Sequence, residues 1–257
     1  MKSFYVSLKL FILLGTLFLS ISYVNAETAE EYYVRGLGEY KLGNYTQAIA
    51  IFNQAIEIDS QNSNAYYGRG LANMRNENYG QAIADFTQVI EIDPQDEGAY
   101  FSRGLAYRSQ GDSALAISDF TKAIEINPQM ATAYSARGTS YLIQNDSIQA
   151  IPDFLQAIKL DPMLLTEINP SLAQAYYVRA SSIYDEQSNV AEAISDYSKS
   201  IEINPDFAGS YNNRAIDYFL LKEYDKAWED VRKTQQLGAT VHPDFLNALK
   251  EASGIEQ

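Results

Sequence analysis

The chain repeats itself every 34 residues. Tyr66-Tyr67-Gly68-Arg69-Gly70-Leu71 returns as Tyr100-Phe101-Ser102-Arg103-Gly104-Leu105 and again as Tyr134-Ser135-Ala136-Arg137-Gly138-Thr139. Tyr32-Tyr33-Val34-Arg35-Gly36 lies one period upstream, and two further copies run from Tyr176 to Ala180 and from Tyr211 to Ala215. Shared composition would not hold register over six copies, so the period is structural. A period of this length means stacked supersecondary units rather than one globular core. The units fall at 29–62, 63–96, 97–130, 131–164, 173–207 and 208–241, with residues 165–172 inserted between the fourth and fifth.

Within a unit two helical patterns stand back to back. In the third, Tyr100, Gly104 and Tyr107 recur at i, i+4 and i+7, and Gln110-Gly111-Asp112 breaks the run. Ala116, Phe120, Ala123 and Ile124 then follow at i, i+4, i+7 and i+8, one apolar face of a second helix. Asn127-Pro128 ends it, because the residue before proline is pushed out of the α region. Gly36, Gly70, Gly104, Gly138, Ala180 and Ala215 share one position of the first helix, and Ala48, Ala82, Ala116, Ala150, Ala193 and Ala227 one of the second. Helices that cross closely need small side chains at the crossing, and Phe52, Phe86, Phe120, Phe154 and Tyr197 fill the space around it. A lone hairpin cannot bury these faces, so successive units must stack.

Numbered within the 34-residue unit, the third repeat has Tyr100 at position 4, Gly104 at 8, Tyr107 at 11, Ala116 at 20, Phe120 at 24, Ala123 at 27 and Pro128 at 32. This pattern resembles the tetratricopeptide repeat. The resemblance implies an all-α chain: a right-handed solenoid of six stacked helical hairpins, with units one to four over 29–164, units five and six over 173–241, and a C-terminal capping helix and tail over 242–257. It implies binding of other proteins, without naming which.

The chain departs from the family in places. Position 7, usually apolar there, is Arg35, Arg69, Arg103, Arg137, Arg179 and Arg214. Position 23 is Asp85, Asp119, Asp153, Asp196 and Asp230, with Ile51 in the first unit. A core-adjacent Arg needs a partner, and the Asp series supplies one; a ladder of guanidinium groups for an acidic ligand is the alternative use. Whether each pair closes within a unit or onto a neighbour is open at this level. Ser60 stands where proline is expected, Glu39 at position 11, and the fifth unit carries one extra residue within 185–190. In the insertion, Glu167-Ile168-Asn169-Pro170 echoes the unit ending Glu125-Ile126-Asn127-Pro128; it is expected to add a helical turn or ordered loop and to shift the angle between its neighbours, or simply to be a tolerated surface insertion, the favoured reading. Pro152 should delay or kink its helix. The sixth unit replaces the aromatic and small residues at its end with Val231 and Thr234, and Pro243 to Lys250 reads as an amphipathic helix over the last exposed face. His242 reads as a loop residue.

By the resemblance, first helices line a concave groove through positions 2, 5, 9, 12 and 13. Position 5 holds Tyr33, Tyr67, Phe101, Ser135, Tyr177 and Asn212; position 9 holds Leu37, Leu71, Leu105, Thr139, Ser181 and Ile216; position 12 holds Tyr40, Met74, Arg108, Leu142, Tyr184 and Phe219. The candidate partner-binding residues are Tyr33, Leu37, Tyr40, Tyr67, Leu71, Phe101, Leu105, Arg108, Tyr177, Tyr184 and Phe219. For each, a place in the groove and a place between adjacent helices are equally open. Such a surface suits an apolar or Tyr/Pro-containing segment. Relatives that grip a C-terminal carboxylate carry Lys at position 5 and Asn at position 9; Tyr33 and Leu37 speak against that use here.

Composition narrows the function further. The chain has 257 residues, 46% of them apolar, no Cys and one His. Without Cys there is no disulfide frame, thiol nucleophile or thiolate metal site, and a single His builds no histidine metal cluster. No phosphate loop and no catalytic Ser/His/Asp set appear, so no enzyme, cofactor or metal site is expected. A formal charge of −14 with no basic block argues against nucleic acid and favours cationic partners over distance. Sequons at Asn44-Tyr45-Thr46 and Asn145-Asp146-Ser147 matter only in a glycosylating host.

Residues 1–26 differ from everything after them. Lys2 and Lys9 precede an apolar run from Leu10 to Leu19, and Val24-Asn25-Ala26 is a small-residue cleavage pattern before Glu27. The segment reads as a secretory signal peptide, and its loss takes the formal charge from −14 to −16. The apolar run is shorter than the roughly 20 residues that span a bilayer; only an uncleaved segment would tie the chain to a membrane. The sequence therefore points to an exported, periplasmic or secreted module binding a segment of another protein, with self-assembly or a scaffold role in a membrane complex as the alternative.

Overall fold

A computed structural model of the chain describes residues 27–182 and 189–254. The expected signal segment, Tyr184 and most of the turn within 185–190 lie outside the described residues. Those residues form thirteen α-helices and no strand. Two compact units divide the chain after Pro94. The first holds α1 (Ala29–Lys41), α2 (Tyr45–Ile58), α3 (Ser63–Arg75) and α4 (Tyr79–Ile92). The second holds α5 (Glu97–Ser109), α6 (Ser113–Ile126), α7 (Ala131–Ile143), α8 (Ser147–Leu160), α9 (Leu165–Ser182), α10 (Val190–Ile203), α11 (Ala208–Leu220), α12 (Tyr224–Gln236) and α13 (Pro243–Ser253). Helices pair as α1/α2, α3/α4, α5/α6, α7/α8, α9/α10 and α11/α12, and within each unit each hairpin packs on the next. The all-α stack of helical hairpins is as the repeat implies.

Local chemistry sets the helix ends. Thr28 caps α1 with a reciprocal box to Glu31, while the Asn62, Asp96 and Asp146 side chains accept from the third amide of their helices. The turn inside a hairpin needs one residue with positive φ, and position 15 supplies it as Gly43 (83°), Glu77 (60°), Gly111 (91°), Asn145 (60°) and Lys222 (60°). Second helices leave the α region at Asp59, Asp93, Asn127, Asp161 and Asn204, with φ between −136° and −127°. Ser60 makes no difference to this ending: Asp59, with no proline after it, has φ −134° and ψ 97°. Its carboxylate accepts from the Gln61 amide at 3.0 Å, and Asn127, Asp161 and Asn204 accept in the same way from the residue two places on. The side-chain turn thus closes the helix and proline only reinforces it.

The core runs along the hairpin crossings. Phe52, Phe86, Phe120, Phe154 and Tyr197 are fully buried. A Cβ on Gly36 would lie 2.6 Å from Cε1 of the Phe52 ring, and one on Gly68, in the next hairpin, 2.7 Å from its Cζ. Phe52 is therefore in close contact with glycines of two successive hairpins, whereas Phe86, Phe120 and Phe154 each meet the glycine of their own hairpin.

Two expectations need correction. Pro152 neither delays nor shortens α8, which begins at Ser147 in the register of the other second helices. Proline removes one bond to the carbonyl of Ile148, a residue 69% exposed, so water can satisfy that carbonyl. Residues 165–172 are no surface insertion. They lengthen α9 to 18 residues after a short 3-10 turn at Pro162–Leu164, and Ile168 and Leu172 are buried against Ala150, Ile151, Phe154 and Ala157. Pro170, which resembles a unit ending in sequence, sits inside that helix. His242 is a loop residue as expected, and it also caps the next helix: its Nδ1 accepts from the Asp244 amide at the start of α13.

The last hairpin is closed as expected. Trp228, Val231, Val241 and Leu249 form one buried cluster, and Trp228 Nε1 donates to Ser253 Oγ at 3.0 Å, tying α12 to α13. Among the described residues no helix is long and apolar enough to cross a membrane.

Candidate interaction surface

The Arg and Asp series close inside their own hairpins. Arg69, Arg103, Arg137, Arg179 and Arg214 each grip the Asp 16 or 17 residues on, Nε and Nη2 reaching its carboxylate at 2.6 to 3.0 Å. The carboxylates are 5–8% exposed, and each guanidinium also lies over the position-4 ring of its own helix, as Arg137 does over Tyr134 at 5.6 Å. A third donor stitches hairpins: Arg69 Nη1 reaches Asn53, Arg137 Nη1 reaches Thr121, and Arg214 Nη1 reaches Ser198, all on the preceding second helix. These guanidinium groups are consumed by the scaffold and offer no ladder to an acidic ligand. Where Ile51 replaces the Asp, Arg35 turns outward to Glu27 and Gln54.

Within each unit the first helices of successive hairpins touch, so their outward faces make a continuous surface. Ten of the eleven candidate residues are described, and every one is half-buried. In the first unit Tyr33, Leu37 and Tyr40 pack on Phe52 and Ala48, with the Tyr33 and Phe52 ring centroids 6.1 Å apart. The Tyr40 hydroxyl accepts from Arg75 at 3.3 Å. Tyr67 meets Phe86 edge-on at 5.5 Å, and Leu71 stands one turn further along α3. In the second unit Phe101 meets Phe120 at 5.7 Å, with Leu105 in the same cluster. Tyr177 packs on Tyr197 and Phe207, its hydroxyl accepting from Asn213. Phe219 packs edge-on against Phe245 of α13 and so belongs to the C-terminal closure. The position-5 aromatics thus have one edge on the hairpin core and the other at the surface.

Arg108 differs from the five Asp-paired arginines. Its Nη1 reaches only the Ala136 carbonyl, at 3.5 Å, and its guanidinium stands 5.9 Å from the Phe120 ring. No carboxylate lies within ion-pair distance of it among the described residues. Hydrogen bonds donated to the Asp carboxylate raise the pKa of Arg103, Arg137 and Arg179, whereas burial alone lowers that of Arg108. Arg108 faces a cleft of about 370 Å³, together with Phe101 and Leu105 of α5. Thr132, Ser135 and Thr139 of α7 supply its opposite wall, and Leu164 and Glu167 its end. Ser135 and Thr139 stand at groove positions in the sequence; Glu167 lies in the insertion, which the sequence reads as surface, and Leu164 ends the fourth repeat outside the groove positions. No cluster of His, Asp or Glu that could hold a metal is present among the described residues.

Signatures of the tetratricopeptide repeat match residues 36–77, 63–96, 98–130, 131–162 and 173–207. Hsp70-Hsp90 organizing protein 3 of Arabidopsis thaliana is 34% identical over 92 residues, 35% of this chain and 15% of that protein. The chain therefore spans a small part of this relative. Among solved structures, YrrB, described as a TPR protein with an unusual peptide-binding site, superposes over 79% of this chain and 98% of its own at 20% identity and a TM-score of 0.54. A tetratricopeptide repeat protein from Parabacteroides merdae covers 90% of this chain and 86% of its own at 17% identity, also with a TM-score of 0.54. With its repeat signatures, its paired helices and its crossing glycines in register, the chain belongs to the tetratricopeptide repeat family.

Proposed function

We propose that the chain is an exported interaction module whose first-helix faces hold a segment of another protein. The observation that carries this is the row of half-buried aromatic and aliphatic side chains at positions 5 and 9, each fixed on one edge by the hairpin core. Rings held in that way lose little further freedom on binding, which favours them as anchors. The repeat fold is a protein-interaction scaffold, and a similar structure, YrrB, is described as having a peptide-binding site. Export rests on residues 1–26 alone; amino-terminal sequencing of the chain from its own cells should begin at Glu27, and an intact Met1 would overturn that part.

The binding face can be tested without disturbing the core. Benzoylphenylalanine at Tyr67 or Phe101 keeps an aromatic ring in place and crosslinks what touches it on illumination. A partner attached at those positions, and absent when the probe replaces Leu115 or Ile148 on exposed faces of second helices, is the expected result. Equal labelling at both sets of positions would sink the reading.

A further inference from the structure

Resting on that reading, we propose that the cleft at Arg108 takes the carboxylate of an Asp or Glu side chain, within a segment that also carries an apolar side chain beside it. A half-buried guanidinium with a single long bond to a carbonyl has most of its donors unused, and it has surrendered hydration to reach that position. The other five core-facing arginines show what satisfies such a group here: two short bonds to one carboxylate. Among the described residues no carboxylate supplies the equivalent to Arg108.

The walls agree with that occupant. Thr132 and Ser135 present hydroxyls that make no hydrogen bond among the described residues, so both can donate to an incoming anion. Phe101, Leu105 and Leu164 leave apolar surface beside the charge, which suits a Leu, Ile or aromatic neighbour of the acidic residue. Glu167, exposed at the end of the cleft, adds one negative charge that opposes the ligand without neutralising Arg108. The formal charge of −14 slows the approach of an acidic segment, but charges more than about 8 Å away are screened at physiological salt, and the guanidinium acts at contact. A side chain of an internal segment is preferred to a free small acid because the cleft lies on the same first-helix face as the aromatic row of its unit.

The test is selection of random octapeptides, displayed with both ends fused, on the full chain and on Arg108→Gln. Selected peptides should be enriched in Asp or Glu next to Leu, Ile, Phe or Tyr. Replacing that acid with Asn or Gln in the synthetic, end-blocked peptide should weaken binding by about tenfold or more in fluorescence anisotropy, the worth of a charge-assisted pair. On Arg108→Gln the acidic and amide peptides should bind alike, and Glu167→Gln should tighten the acidic peptide only. Peptides selected without acid enrichment, or an acid preference that survives Arg108→Gln, would overturn this assignment and leave the wider binding function standing. Selection of nothing would overturn both. Recovery of binding only with a free C-terminus, or displacement of the peptide by millimolar glutarate, would assign the cleft to a different carboxylate source.

Discussion

Arg137 and Asp153 meet twice, Nε on Oδ2 and Nη2 on Oδ1, each at 2.8 Å, while the remaining Arg137 nitrogen reaches Thr121 in the hairpin before. One side chain therefore closes its own hairpin and holds the neighbouring one. Asp153→Ala leaves a largely desolvated guanidinium without its anion and should cost about 3 kcal/mol, as should Arg137→Ala. The double substitution Arg137→Met/Asp153→Leu should cost far less than the two singles together, because no unpaired charge remains. Urea unfolding of all four chains measures the coupling. The exposed Arg35 and Glu27 pair should give under about 0.5 kcal/mol in the same experiment.

Gly104 and Phe120 make a sharper steric test. A Cβ on Gly104 would sit 2.7 Å from Cε1 of a ring that is fully buried and cannot move aside. Gly104→Ala should therefore lower stability by about 1–3 kcal/mol despite the better helix propensity of alanine. Adding Phe120→Leu should make the alanine nearly neutral, at the cost of the smaller side chain itself. A Gly104→Ala chain as stable as the parent would show that the crossing has slack.

Glu77 and Lys222 hold φ at 60° in hairpin turns where the first and third hairpins use Gly43 and Gly111. A side chain in the left-handed region is strained, by about 1–2 kcal/mol, and glycine relieves it while raising the entropy of the unfolded chain. Glu77→Gly and Lys222→Gly should each stabilise by about 0.5–1 kcal/mol, read from the denaturation midpoint at unchanged slope. A loss of stability would mean that the side chains make contacts worth more than the strain.

Which parts of this structure the sequence disclosed follows from how local each feature is. The hairpins were readable because positions 8, 20 and 24 recur at helical spacing, and register alone aligns Gly104, Ala116 and Phe120. The Arg and Asp series was visible as a match of types, but the closure of Arg137 on Asp153, and of its third donor on Thr121, depends on hairpin packing. The insertion misled because Glu167 to Pro170 repeats a helix-ending sequence, whereas Ile168 and Leu172 find a buried face that only the neighbouring helix creates. The same reading of the insertion conceals Glu167 at the Arg108 cleft, Leu164 ends the fourth repeat outside the groove positions, and Arg108 itself is legible from its position in the repeat.

Arg108 finally predicts a trade of stability for function. In the free chain its guanidinium is partly desolvated, without a carboxylate, and its pKa is lowered by burial. Such a charge is a cost to the folded state that a side chain of similar length and no charge would not carry. Arg108→Met keeps apolar contact with Phe120 and should raise the unfolding free energy by about 1 kcal/mol, or the melting temperature by about 2–4 °C for a chain of this size. Arg103→Met, which abandons Asp119, should move the melting temperature the opposite way. Two substitutions of the same chemistry, five residues apart on one helix, then report opposite signs, and calorimetry of the pair decides whether Arg108 is held for the fold or kept at the fold's expense.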